Sequence, residues 1–148
     1  MTDSNQAIAN LIYTYAERID HGDYEGIGDL FAHAEITAEA MDDPVRGRDA
    51  VVAMYTASTR IYEDTGNPKT KHVTTNLIIE VDEAGDRATA RSYYTVMQAV
   101  AGSLALQPVI SGRYRDEFER VDGGWRFARR HMFVDLVGDL SQHLLFEL

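Results

Sequence analysis

The chain has 148 residues, 45% of them hydrophobic and 26% charged, with a formal net charge of −10 and no cysteine. It is long enough to bury one core and too apolar for disorder. So acidic a chain is a poor fit to nucleic acid or an anionic membrane, and the lack of cysteine excludes disulfides, thiolate nucleophiles and Cys-ligated metals.

Met1-Thr2-Asp3-Ser4-Asn5-Gln6 has neither the basic start nor the apolar core of a signal peptide, and no apolar run is long enough to span a bilayer. A cytoplasmic protein forming one domain over residues 1–148 is expected. The spacing predicts a first helix from Asp3 or Ser4, either a good N-cap, to Asp20. Ile8, Leu11, Ile12, Tyr15, Ala16 and Ile19 recur at the helical period and give it one apolar stripe. His21-Gly22-Asp23 stops it, glycine being the usual residue just past a helix end. Tyr24 to Ala32 reads as a shorter helix with Ile27, Leu30 and Phe31 inward, Glu35 to Ala40 as a short strand, and Met41 to Arg46 as a turn or loop in which Pro44 limits pairing.

Gly47 and Asp49 open a third helix, with Val51, Met54, Tyr55, Ser58 and Tyr62 as its inner stripe, and Gly66-Asn67-Pro68 ends that region. Four extended segments follow: Lys71–Val81, Arg87–Ala99, Val109–Val121 and Trp125–Leu136. Asp82-Glu83-Ala84-Gly85-Asp86 joins the first two and Asp122-Gly123-Gly124 the last two, both as hairpin connections. Helices followed by a long antiparallel meander make an α+β arrangement, with helices packed on one face of a curved sheet.

Asp20 follows the apolar stripe of the first helix directly and leans over its edge. A carboxylate there is costly to bury without a partner, and His72, in Lys71-His72-Val73-Thr74-Thr75-Asn76, is a well-suited one. An Asp–His pair at the rim of an apolar cavity is a general-base device. On the residues alone, Asp20 equally suits a cap over the amides around Gly22, and a lone strand histidine is more often structural.

The order and spacing of several segments carry a resemblance: Tyr15 to Tyr24 (YAERIDHGDY), Leu30-Phe31, Arg46-Gly47-Arg48-Asp49-Ala50, the Lys71–Asn76 stretch, Gly112-Arg113-Tyr114-Arg115-Asp116 and Asp122-Gly123-Gly124-Trp125-Arg126-Phe127. Together they resemble the SnoaL-like branch of the NTF2-like superfamily, a cone-shaped α+β fold that includes scytalone dehydratase, hexachlorocyclohexane dehydrochlorinase, bile-acid 7α-dehydratase and the polyketide cyclases. The resemblance covers nearly the whole chain. It implies a cavity between the helices and the concave sheet face, with the end of the first helix beside the start of the first long strand. It places a catalytic Asp and His at positions that match Asp20 and His72. In that scheme neutral His72 removes a proton from carbon, and Asp20 fixes its tautomer and stabilises the imidazolium. No metal or organic cofactor is needed. The chain also departs from scytalone dehydratase: Ile19 stands where that enzyme has a tyrosine, and Gln98 falls near its second histidine.

Tyr15, Tyr55, Tyr94 and Tyr114 fall on inward faces, where core packing is the ordinary role and an aromatic pocket lining the functional one. With Ile19 they are the expected substrate contacts. Parity with Trp125 turns Arg129 inward in preference to Arg130, unless a bulge reverses the choice, and turns His131 inward as well. His21, His33 and His143 stand in turn or tail settings and read as solvated, and no histidine pair has metal-ligand spacing. The apolar tail from Val137 to Leu148 needs cover, and a lid over the cavity mouth is preferred to docking on a neighbouring subunit.

The expected function is a cofactor-independent lyase or isomerase, of dehydratase or cyclase type, acting on a small to medium apolar molecule such as an alicyclic, steroid-like or polyketide compound. A homo-oligomer, dimer or trimer, is expected because the outer face of such a sheet is commonly covered. Two rivals stay open: a non-catalytic ligand-binding or accessory subunit of the same fold, and a hydrolase.

Overall fold

The computed structural model describes residues 3–148; Met1 and Thr2, which begin the stretch read above as lacking a leader, lie outside it. The elements are α1 (Ser4–Asp20), α2 (Tyr24–Leu30), β1 (Glu35–Ala38), β2 (Val45–Arg46), α3 (Arg48–Ser58), β3 (Thr70–Asp82), β4 (Arg87–Val100), β5 (Leu104–Val121) and β6 (Gly124–Val137). The six strands form one sheet in the order β2-β1-β6-β5-β4-β3. It is mixed, because β1 runs parallel to β6 while the other pairs are antiparallel. No helix among the described residues is long and apolar enough to cross a membrane.

The first helix begins where its cap requires. The Asp3 carboxylate accepts the Gln6 amide at 2.8 Å, satisfying one of the amides left free in the first turn. It ends at Gly22, whose φ of 73° is the left-handed conformation that lets the chain reverse. There the Gly22 and Asp23 amides donate back to the Ile19 and Arg18 carbonyls. Asp20 therefore sits on the last turn, with its direction fixed by a defined stop. Ile8, Ile12, Tyr15 and Ile19 are buried against the sheet, as the periodicity predicts.

In β4 the inward set is Ala88, Ala90, Ser92, Tyr94, Val96, Gln98 and Val100, a period of two over the whole strand. The apolar ones join Ile27, Phe31, Ile36, Val51, Phe118 and Phe127 in the core, with Ser92 and Gln98 as buried polar groups among them. Gly112 on β5 allows a close approach: a Cβ there would lie 1.9 Å from the Phe133 carbonyl and 2.6 Å from the Tyr94 hydroxyl. Tyr94 occupies that space and donates to the Phe133 carbonyl at 2.8 Å.

Several boundaries differ from the sequence reading. The segment expected to be a turn contains β2, two residues that pair with β1. The second helix stops at Leu30 and β1 at Ala38, and α3 ends at Ser58, so Tyr62 lies beyond it. β5 starts at Leu104, directly after the turn through Ala101, Gly102 and Ser103, and so precedes its expected start at Val109. On edge strand β3 the register shifts between Thr75 and Ile78, with Asn76 at a left-handed φ of 54°. That bulge breaks the regular edge of the sheet.

Candidate active site

The end of α1 and the start of β3 bring Asp20 and His72 together. His72 Nδ1 lies 2.6 Å from Asp20 Oδ1, and the His72 backbone amide donates to Asp20 Oδ2 at 2.8 Å. The Thr70 hydroxyl donates to Oδ1 at 2.9 Å. Thr70 and His72 are two apart on β3 and so share its inner face. A carboxylate cannot donate, so Nδ1 carries a proton, and in the neutral ring the lone pair is on Nε2. The Asp20 and His72 side chains are 11% and 5% exposed. Burial opposes ionisation of Asp20, but hydrogen bonds from the His72 ring, the His72 amide and Thr70, with the charge on a protonated His72, hold its carboxyl below the usual range.

His72 lines a cavity of about 700 Å³ between the helices and the sheet. Its wall is mostly apolar, with Ile19, Met54, Val96, Ile110, Met132 and Leu144 among the lining residues. Tyr15, Tyr55, Tyr94 and Tyr114 line it too. The Tyr15 and Tyr55 hydroxyls are 2.9 Å apart. Burial pushes both upward, so both are neutral hydroxyls at ordinary pH. Tyr15 also stands edge-on to the His72 ring, with centroids 6.1 Å apart. A neutral imidazole with a free nitrogen, set in an apolar chamber with neighbouring hydroxyls, can take a proton from carbon. Among the described residues no group of three or more His, Asp or Glu side chains is placed to hold a metal ion.

The SnoaL-like domain family matches residues 1–131. The chain belongs to the SnoaL-like family. Among solved structures, the SnoaL-like chain is similar to Rv3472 of Mycobacterium tuberculosis, a protein of unknown function: identity is 29% and the TM-score 0.71, over 90% of this chain and 72% of that one. An NTF2-like protein with a cystatin-like fold from Novosphingobium aromaticivorans is 25% identical with a TM-score of 0.73, over 93% of this chain and 85% of that one. A third, provisionally named a scytalone dehydratase and also from Novosphingobium aromaticivorans, is 25% identical with a TM-score of 0.70, over 94% and 91% of the two chains. No curated protein matches the sequence significantly.

Two expected contacts of the SnoaL-like chain lie elsewhere. Arg129 is on the outer face, 45% exposed and 3.5 and 3.6 Å from Glu35 and Glu117. His131 is also on that face, with Nδ1 2.6 Å from the Thr37 hydroxyl and its ring against Phe133. The cause is one extra residue in β6. Glu117 pairs with Arg129 and Phe118 with Phe127, leaving Ala128 as a bulge that reverses parity beyond it. Arg130 and Met132 therefore point inward. Arg130 makes a two-pronged pair with Asp116 at 2.8 and 3.0 Å, and both side chains are fully buried. Its guanidinium lies 3.7 Å from the Tyr114 ring centroid and 4.5 Å from that of Tyr15, so it sits behind the cavity wall.

His143, expected to be solvated, is buried and lines the cavity. Its ring centroid is 6.2 Å from that of His72. The irregular tail has no period to betray this, and the only local signal is its position between apolar Leu140 and Leu144. Gln98, near the expected site of a second histidine, is buried and donates from Nε2 to the Pro68 and Gln142 carbonyls at 3.1 and 2.9 Å.

Proposed function

We propose that this protein is a cofactor-independent lyase or isomerase in which His72 is the general base. The observation that carries the reading is the hydrogen bond from His72 Nδ1 to Asp20 at 2.6 Å, at the wall of a largely apolar cavity. Asp20 holds the reactive tautomer and stabilises the imidazolium that forms when Nε2 takes a proton from carbon. The electron pair left on carbon then expels a leaving group on the adjacent atom or moves into a neighbouring carbonyl. Elimination of water is the first choice, and the returning proton on His72 is available to the departing hydroxyl. Cyclisation and double-bond migration use the same first step.

The cavity volume suits a small to medium alicyclic, steroid-like or polyketide compound, and its apolar lining supplies most of the binding. Tyr15 and Tyr55 supply the polar contacts, with their hydroxyls set to bond a substrate oxygen. Tyr94 and Tyr114 stack on each other, centroids 4.5 Å apart, and form part of the cavity wall. Ile19 shapes the wall beside Asp20. The protein works in the cytoplasm as a homo-oligomer and takes neither nucleic acid nor membrane as a partner.

A nitrobenzisoxazole tests the base without knowledge of the natural substrate. Removal of its ring C–H proton forms a nitrile as the N–O bond breaks, and the nitrophenolate product is coloured. Turnover is expected in the wild type, with a loss of about a hundredfold to ten-thousandfold in His72→Ala. Equal turnover by the two proteins contradicts the reading.

A further inference from the structure

We propose that His143 is a second catalytic imidazole, its Nε2–H hydrogen-bonding the substrate oxygen that gains charge as His72 takes the proton from carbon. The proposal rests on His72 being the base. Three observations carry it.

The first is placement. His143 is 4% exposed, lines the same cavity as His72, and has its ring 6.2 Å from the His72 ring, centroid to centroid. The rings make no hydrogen bond to each other, stand edge-on, and open on the same cavity, so one ligand in it can reach both.

The second is an unspent polar group. His143 Nδ1 is buried without a partner. With no acceptor in reach, Nδ1 is the bare nitrogen and the proton belongs on Nε2, which makes no hydrogen bond within the described residues. The ring thus carries one buried nitrogen that the protein leaves unsatisfied and one N–H that no protein group engages, which is the nitrogen left for a ligand oxygen. Burial and the facing His72 push the ring down from 6.5 to about 4, while Asp20 pulls the other way, so it is neutral at ordinary pH.

The third is how firmly the segment is held. The His143 carbonyl accepts the Arg60 amide at 2.9 Å, and the Leu145 amide donates to the Ser58 carbonyl at 2.9 Å. The Gln142 carbonyl accepts the Tyr62 hydroxyl at 2.6 Å and Gln98 Nε2 at 2.9 Å. The backbone of the tail beside His143 is thus a fixed wall of the cavity. Fixed donors aimed at developing charge are what lower such barriers.

With the nitrobenzisoxazole, His72 takes the C–H proton, the C–H pair completes the nitrile, and the N–O pair leaves on the phenolate oxygen, which receives the His143 hydrogen bond. His143→Phe is expected to lower kcat about a hundredfold with KM little changed, while His143→Gln, which keeps a donor, recovers about tenfold of that loss. A kcat for His143→Phe within about twofold of the wild type, in a protein whose turnover still depends on His72, overturns the proposal and leaves the base intact.

A second readout needs neither turnover nor a folded variant. Nitrogen NMR of histidine-labelled wild type should show a His143 ring signal that shifts when a nitrophenol binds. Without His72-dependent turnover the base reading fails, and this signal alone decides whether His143 meets ligand oxygen. An unshifted His143 signal at saturating nitrophenol overturns it.

Discussion

Two carboxylates near the Tyr15 ring, one paired with a guanidinium and the other with an imidazole, differ in what they can do. Asp116 and Arg130 are fully buried, joined through two hydrogen bonds, and enclosed by Tyr15, Phe31, Tyr114 and Phe127. Burial raises the Asp116 carboxyl despite the guanidinium's pull, while the carboxylate outweighs burial at Arg130, which stays protonated. Neither lines the large cavity. Asp20 and His72 are also nearly buried, but the imidazole has one nitrogen on the carboxylate and the other free, with its ring in the cavity wall. A guanidinium is always charged and cannot be a base at ordinary pH, whereas an imidazole exchanges protons readily. On the proposed reading, the difference between a strut and a base is access and the identity of the nitrogen.

Breaking the strut should produce the largest effect on stability. Arg130→Met leaves Asp116 charged and unpaired in the core, and is expected to cost about 3–5 kcal/mol in denaturant unfolding. The double variant Asp116→Leu with Arg130→Met should recover most of that loss, because no charge is left stranded. A small cost for the single variant would mean that Asp116 is already neutral. Asp20→Asn sharpens the other half of the comparison. It should retain most of the fold, but Asn has one oxygen where Asp20 uses two. With that oxygen kept toward the His72 amide, it turns its NH2 to the Thr70 hydroxyl and the His72 ring, and no longer holds the imidazole's tautomer by charge. Nitrobenzisoxazole turnover should fall by about a hundredfold or more.

Acid stability separates the groups by pH. The unfolded chain protonates His143 near its ordinary 6.5, and the folded chain only near 4. The unfolded state therefore binds the extra proton, and stability falls as pH drops through that window, by roughly 3 kcal/mol, and then levels. His143→Phe should remove this slope, which unfolding midpoints across the window would read out. Asp20 acts at lower pH. Its folded carboxyl titrates below 3.8, so its contribution is present above that value and is lost as pH falls through the lower one. The smallest expected effect is that of Thr70→Val, which removes one hydrogen bond to Asp20 and should cost about 1 kcal/mol, measured by denaturant unfolding. No measurable change would mean that the amide and imidazole bonds alone fix the carboxylate.

The helix period, the glycine stop and the hairpin signals were legible, and they placed Asp20 at a helix end and His72 in a strand, but that these two ends adjoin came only from the family resemblance. The inward tyrosines were legible from the same two periods. Asp116 was readable too, since it shares parity with Tyr114 and Phe118, yet its charge masked it among the flanking arginines and glutamates. Arg130 was hidden by Ala128, because one bulged residue exchanges the faces of everything after it. His143 was hidden for another reason. Its burial comes from long-range bonds to Ser58, Arg60, Tyr62 and Gln98, and an irregular segment carries no periodicity that would announce them. Regular elements place their side chains by local rules, whereas bulges and tails place theirs by tertiary contact.

The most direct test of the Asp20–His72 base is deuterium exchange. A cyclic ketone small enough for the cavity is incubated with protein in heavy water, and incorporation at the carbon beside the carbonyl is followed by proton NMR. The account predicts exchange well above the buffer rate with the wild type and close to the buffer rate with His72→Ala. If no ketone that binds in the cavity exchanges faster than in buffer, or if His72→Ala exchanges as fast as the wild type, His72 is not the base.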